Sequence, residues 1–382
     1  MPESFSGEPA RYRCPTLPES GFTENFDLPL PIEFRMANKT TQIDPTLAGQ
    51  IESAEPVLGF PIQFSWHKNY WSELFDCQVE LIRNDIRRAR VEEKLIIYLS
   101  CPISARGGGD ESTNVEIAKA TERRLLARWG ERFWILNPTQ YQMESKEGTG
   151  LMGQHASTLG YDLAELRSLT PNDPISGRPA PFGGDYMRMW TKVLVEDRVD
   201  PPYHFTSQGS GDALKNTAQH FDAFYFLGPS DVAAYFAASG GQTLTAAIEA
   251  HFARKFITDP DFCDSYSIAG IDWRRGWRDD IGLSDQAKQN QTDLRLKWGD
   301  LRRQYVRFYG LRASANFSLG SHDEWNILRQ INRLRRQAVR PNGKGDNIGI
   351  PEQLPGFFDG IQIDPGASEA ELSRGYATSG NL

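Results

Sequence analysis

Ser100, Ser104, Arg106 and three glycines, Gly107, Gly108 and Gly109, fall within ten consecutive residues of the segment LIIYLSCPISARGGGDE, residues 95–111. Two hydroxyls, a guanidinium that can fork onto an anion and a backbone free of Cβ atoms are together the parts of a phosphate site. Two elements must position them. Leu95, Ile96, Ile97, Tyr98 and Leu99 form a continuous β-prone run, as expected of a strand buried on both faces of a parallel sheet, and Pro102 ends its ladder pairing. A helix is predicted over residues 114–129, opened by a capping box of Thr113 and Glu116, with Asn114 offering a further hydrogen bond at its entrance. The free N–H groups and dipole of that helix would point at the loop. A ligand-free surface loop has the same composition. Position favours the site, because open parallel sheets gather ligands outside the carboxyl ends of their strands.

The 382 residues exceed one average domain, and 39% hydrophobic with 24% charged residues is ordinary for a soluble chain. The net charge of −8 is uneven: residues 251–340 hold 17 Lys and Arg against 11 Asp and Glu, a local excess of +6 that leaves −14 for the rest. Cys14, Cys77, Cys101 and Cys263 form no CxxC pair, which argues against a zinc ribbon or a dense disulfide framework and fits a reduced, cytoplasmic setting. No apolar run approaches the ~20 residues that cross a bilayer, so no membrane association is expected.

The fold class expected is α/β, a doubly wound parallel sheet of flavodoxin or Rossmann type with an N-terminal arm and a C-terminal, mostly helical subdomain. Three apolar runs, 95–99, 133–136 and 223–227, alternate with helical segments and supply the strands. Residues 1–65, rich in Pro and Ser but punctuated by Phe22, Phe26, Phe34, Phe60 and Phe64, read as an extended arm lying on the domain or on a partner subunit. Residues 71–91 read as an amphipathic helix covering the sheet. Residues 66–260 form the α/β domain, with a long insertion at 140–219 that would act as a lid or substrate wall. Residues 261–340 form the helical subdomain, in which Ser321 and Glu324 read as a capping box. Residues 341–382 form a peripheral tail.

The order of a strand, a Ser/Gly/Arg loop, a helix, a strand ending in Asn137-Pro138, the triplet Tyr186-Met187-Arg188 and a strand beginning with Asp222 resembles the nucleoside 2-deoxyribosyltransferase-like superfamily. IYLSCPISARGGGDE looks most like the opening of the 2′-deoxynucleoside 5′-monophosphate N-glycosidases. The resemblance covers residues 94–256. It implies cleavage of a base–sugar bond through a carboxylate nucleophile, without metal or organic cofactor, in a homo-oligomer whose members complete one another's sites. Carried over residue by residue, Tyr98 orients the nucleophile, Glu249 is the nucleophile, and Ser100, Ser104, Arg106, Gly107, Gly108, Gly109, Asn114, Asp222, Thr243 and Thr245 hold the nucleotide and its 5′-phosphate. An anionic carboxylate can stabilise an oxocarbenium-like C1′ and then trap it. The chain departs from the pattern in two ways. Thr243 and Thr245 stand where the family has Ser or Asp and Gly, and Trp190 replaces the aspartate that follows the family's YMR-like segment, with Asp185, Asp197 and Asp222 the carboxylates nearby. A second register aligns Ser230 with the family serine and puts Phe236 at the nucleophile position. That register implies an inactive nucleotide-binding sensor or scaffold. Equally, Glu249 reads as a polar residue of an amphipathic helix.

His67, His155, His204, His220, His251 and His322 show no metal-ligand spacing, and His251, two residues beyond Glu249, does not share its helix face. Aromatic and basic residues interleave at Trp273, Arg274, Arg275, Trp277 and Arg278, and again at Arg302, Arg303, Tyr305, Arg307, Phe308 and Tyr309. Stacking beside cations is what single-stranded nucleic acid requires. A helical region with its aromatics packed inward and its arginines paired outward gives the same pattern.

Overall fold

Three of the strands are short apolar runs buried on both faces: β3 (Leu95–Ser100), β4 (Phe133–Leu136) and β5 (Ala223–Phe226). In this computed structural model β3 lies between β4 and β5 and is parallel to both, with Tyr98 level with Leu136 on one side and Phe224 on the other. The described residues are 41–57, 60–103, 109–143, 146–173, 177, 179–195, 220–259, 262, 285–315, 318–338, 353–363 and 375–380. The expected arm therefore lies outside them up to residue 40, as do residues 196–219 of the insertion and the Trp273–Arg278 motif.

The main sheet has five strands in the order β4-β3-β5-β6-β7. The segment expected as a peripheral tail supplies the last two. β6 (Gly356–Phe358) pairs parallel to β5, and β7 (Ile361–Ile363) folds back antiparallel, so the sheet is mixed rather than wholly parallel. Chain order reverses direction at β3, which places a topological switch point between the carboxyl ends of β3 and β5.

Helices cover both faces. On one face α2 (Tyr70–Val91), α6 (Gly183–Val195) and α10 (Leu319–Ala338) pack on Ile96, Tyr98, Phe224 and Phe226. On the other, α3 (Glu111–Trp129), α7 (Pro229–Ala237), α8 (Leu244–Thr258) and α9 (Asp285–Ala315) pack on Ile97, Leu99 and Tyr225. Strand alternation assigns each residue its face. The segment expected as a separate helical subdomain is thus divided between the two sides of the sheet, α9 on one and α10 on the other. Tyr305, Phe308 and Tyr309 are buried against α3 and α8, while Arg302 pairs with Glu249 and Arg303 with Asp300. The aromatics of this motif serve packing and are not available to stack on bases. No helix among the described residues is long and apolar enough to cross a membrane.

Residues 41–67 belong to the fold, not to an extended arm. After the one-turn α1 (Pro45–Ala48), β1 (Ile51–Pro56) and β2 (Ile62–His67) form an antiparallel pair, which the two-residue β8 (Ser379–Gly380) extends. The insertion holds α4 (Lys146–Leu159) and α5 (Leu163–Leu169) besides α6, so its described part is built largely of helices. α6 meets β2 closely enough that a Cβ on Gly184 would overlap the Ser65 carbonyl oxygen. Backbone cannot yield as a flexible side chain does, so Gly184→Ala is expected to destabilise the protein by about 1–3 kcal/mol. An unchanged urea midpoint and slope would contradict that packing.

Candidate functional site

The carboxyl end of β3 carries Tyr98 and Ser100, two residues apart and therefore on the same face. Above them α10 presents Glu324. The Tyr98 hydroxyl donates to Glu324 Oε1 at 2.8 Å, and the Ser100 hydroxyl donates to Oε2. Glu324 is 6% exposed and Ser100 1%. Burial pushes the Glu324 carboxyl up to about 7 against the opposing pull of the two hydrogen bonds, with a smaller upward push from Asp323. The same burial, and then the neighbouring carboxylate, raise the Tyr98 hydroxyl well above its ordinary value, so Tyr98 remains a donor. Its ring is enclosed by Trp190, Phe221 and Phe224, with centroids at 5.6, 6.2 and 5.4 Å.

α10 is shaped to deliver this group. Ser318 Oγ accepts the Ser321 N–H at 3.2 Å, so the helix is capped before Ser321, and Glu324 lies one turn further in. The expected capping box of Ser321 and Glu324 is thereby corrected: the glutamate turns to the sheet instead of back to its own helix start. Asp323 faces another way. Its carboxylate accepts the backbone N–H groups of Gly375, Tyr376 and Ala377, and burial pushes it up to about 6 despite those three bonds.

The other expected site residues disperse. Glu249 sits on α8, across the sheet from Tyr98, and pairs with Arg302 at 2.9 Å with both side chains more than a third exposed. Tyr98 therefore does not orient Glu249; the sheet lies between them. Phe236, the alternative in that register, is fully buried on the same far face against His251, Tyr305 and Tyr309. Thr243 caps α8 by accepting the Ala246 N–H, and Thr245 is exposed in the first turn. The other end of that helix holds Lys255 against Ser112 and Thr113, about 18 Å along the axis from Thr243. Asp222 accepts the Ile96 N–H at 2.6 Å and pairs with Arg90, which fixes the starts of β3 and β5 at the edge opposite Ser100. None of these three hydrogen-bonds to residues 101–103, the described residues that leave β3.

Near that loop, Asn114 donates to the Ile103 carbonyl and accepts from the Tyr309 hydroxyl, so it braces the chain leaving β3. The helix entrance differs from expectation: α3 starts at Glu111, with Asp110 accepting the Thr113 N–H at 2.7 Å, so Asp110 is the cap and Thr113 lies within the first turn. A Cβ on Gly109 would overlap the Phe308 ring, so that glycine admits α9 rather than a ligand. Ser104, Arg106, Gly107 and Gly108 lie outside the described residues.

The Tyr186-Met187-Arg188 triplet packs on α2. Tyr186 meets Phe75 edge-on, and Arg188 forks onto Asp76 at 2.9 and 3.1 Å. Asp185 accepts the backbone and ring N–H groups of His67, and Ser230 donates its N–H and hydroxyl to Asp359. Each of these residues is held by contacts within the fold. Glu324 is the residue that sequence reasoning placed elsewhere. It stands 226 positions from Tyr98, and its only local signal was a Ser-x-x-Glu pattern.

Compared with known proteins, the chain matches no family model, no curated protein and no solved structure.

Proposed function

We propose that the protein breaks a base–sugar bond in a nucleotide or modified nucleoside, by hydrolysis or base exchange, with Glu324 as the nucleophile in place of Glu249. The observation that carries this reading is the hydrogen bond from Tyr98 to the Glu324 carboxylate at the carboxyl end of β3. A strand tyrosine steadying a glutamate is the relation that the resemblance implies, and here it joins residues that no local motif connects. The switch point between β3 and β5 supports it as well, since ligands gather there in open α/β sheets.

In this reading one Glu324 oxygen bonds C1′ as the C1′–N bond breaks. The electron pair goes to the base, which takes up a proton from water. Tyr98 and Ser100 hold the carboxylate in place, and water or a second base then displaces it from C1′. The β3 loop would hold the 5′-phosphate.

A second reading, a nucleotide-binding protein without turnover, is favoured by one observation: both Glu324 oxygens already accept hydrogen bonds inside the core. One assay separates the two. Nucleosides and their 5′-monophosphates are incubated with wild type, Glu249→Ala and Glu324→Gln, and free base is followed by chromatography. Base release in wild type and Glu249→Ala, lost in Glu324→Gln, is expected. Release that persists in Glu324→Gln overturns the assignment, and nucleotide binding without release by wild type supports the second reading.

A further inference from the structure

On the face of the sheet opposite Glu324, α3, α7 and α8 enclose a cleft of ≈ 260 Å³. It is lined by Ala120, Ala234, Ala238 and Tyr235 and by three arginines, Arg123, Arg124 and Arg254. Arg124 is neutralised by Asp231, whose carboxylate also accepts the Gly228 N–H. Arg123 and Arg254 have no carboxylate partner among the described residues. Arg254 donates only to neutral acceptors, Ser239 Oγ at 2.9 Å and His251 Nδ1 at 3.3 Å.

His251 adds no charge of its own. Burial drives its pKa down to about 4, helped by Lys255 and Arg254 and opposed by Glu116. With Nδ1 accepting from Arg254, its proton is on Nε2, toward the Tyr235 oxygen at 3.4 Å. Two of the three arginines that line the cleft thus lack a carboxylate partner among the described residues.

We propose that this cleft binds a small organic phosphate monoester. The phosphate would lie between Arg123 and Arg254 and its compact apolar part against the alanines and Tyr235. A phosphate monoester carries about −1.5 to −2 charges near pH 7, which matches two guanidiniums without a carboxylate partner better than a carboxylate does. This site is separate from the Glu324 centre, since the sheet lies between them.

Phenyl phosphate titrated into the full-length protein by calorimetry tests the proposal, with inorganic phosphate and benzoate as comparators. Saturable binding of phenyl phosphate, tighter than either comparator, is expected. Arg123→Ala and Arg254→Ala should each weaken it roughly ten- to hundredfold, the scale of a lost charge-assisted hydrogen bond. Glu324→Gln should leave it unchanged. Circular dichroism checks the variants, and because Arg123 is exposed, its variant decides should Arg254→Ala fail to fold. No saturable binding, unchanged affinity in Arg123→Ala, benzoate binding as tightly as phenyl phosphate, or loss confined to Glu324→Gln would each overturn it.

Discussion

Glu324→Gln is expected to reduce base release by about 10³-fold or more, the scale of removing a group on which a covalent step depends. The substitution keeps the size and shape of the side chain, and an amide oxygen can still accept from Tyr98 or Ser100. The fold around α10 should therefore survive while the nucleophile is lost. Glu249→Ala removes only an ion pair with Arg302 in which both side chains are more than a third exposed. Exposed pairs contribute about 0–1 kcal/mol, so stability and activity should both change little. The contrast between the two glutamates is the informative result. Equal losses in both variants, or loss in Glu249→Ala alone, would return the nucleophile to α8 and contradict the assignment made on Tyr98.

The second large effect is on stability as a function of pH. Glu324 has an ordinary pKa of 4.5 when exposed and about 7 in the folded protein, raised chiefly by burial. Between those values the folded state binds more protons at this group than the unfolded state does. Unfolding free energy must therefore fall as pH rises through that window. The whole effect, from below 4.5 to above 7, is about 3 kcal/mol. Asp323, raised from 3.8 to about 6, adds a loss of the same sign at lower pH. Urea unfolding followed from about pH 5 to pH 8 should show wild type losing stability and Glu324→Gln losing distinctly less. Parallel curves would mean that the carboxyl titrates normally. Activity should run the other way, because only the carboxylate form attacks C1′, so base release should rise as pH passes through about 7.

The sheet was legible in the sequence where its strands are buried on both faces, since β3, β4 and β5 then appear as unbroken apolar runs. β6 was not, because three residues following a Gly/Pro-rich stretch carry no periodicity and owe their strand state to pairing with β5. β1 and β2 were read as part of an arm because the segment that holds them is rich in Pro, Ser, Glu and Thr, with aromatics such as Phe60 and Phe64 only at intervals. The structure buries both rings in the core. Tyr98 and Ser100 could be recognised from their strand and loop. Their partner could not, because which face of a sheet a distant helix covers is set by the chain's path and not by local pattern. Glu249 follows β5 closely in sequence and lies on the face opposite Tyr98; Glu324 follows nearly a hundred residues later and lies on the face of Tyr98. The Ser321/Glu324 spacing looked like a cap because the true cap, Ser318, lies three residues earlier and uses the same chemistry. In the same way the helix after β3 begins at an aspartate cap, Asp110, which also sits in the loop read for its glycines.

A nucleotide analogue bearing fluorine at the sugar C2′ slows breakdown of a glycosyl–enzyme ester by destabilising the oxocarbenium-like transition state, and so leaves the sugar on the attacking residue. Intact-mass analysis followed by peptide mapping of the wild-type protein treated with such an analogue should find the added sugar on the α10 peptide, at Glu324. A label on the α8 peptide at Glu249, or base release from the analogue with no covalent label at Glu324, would contradict the account.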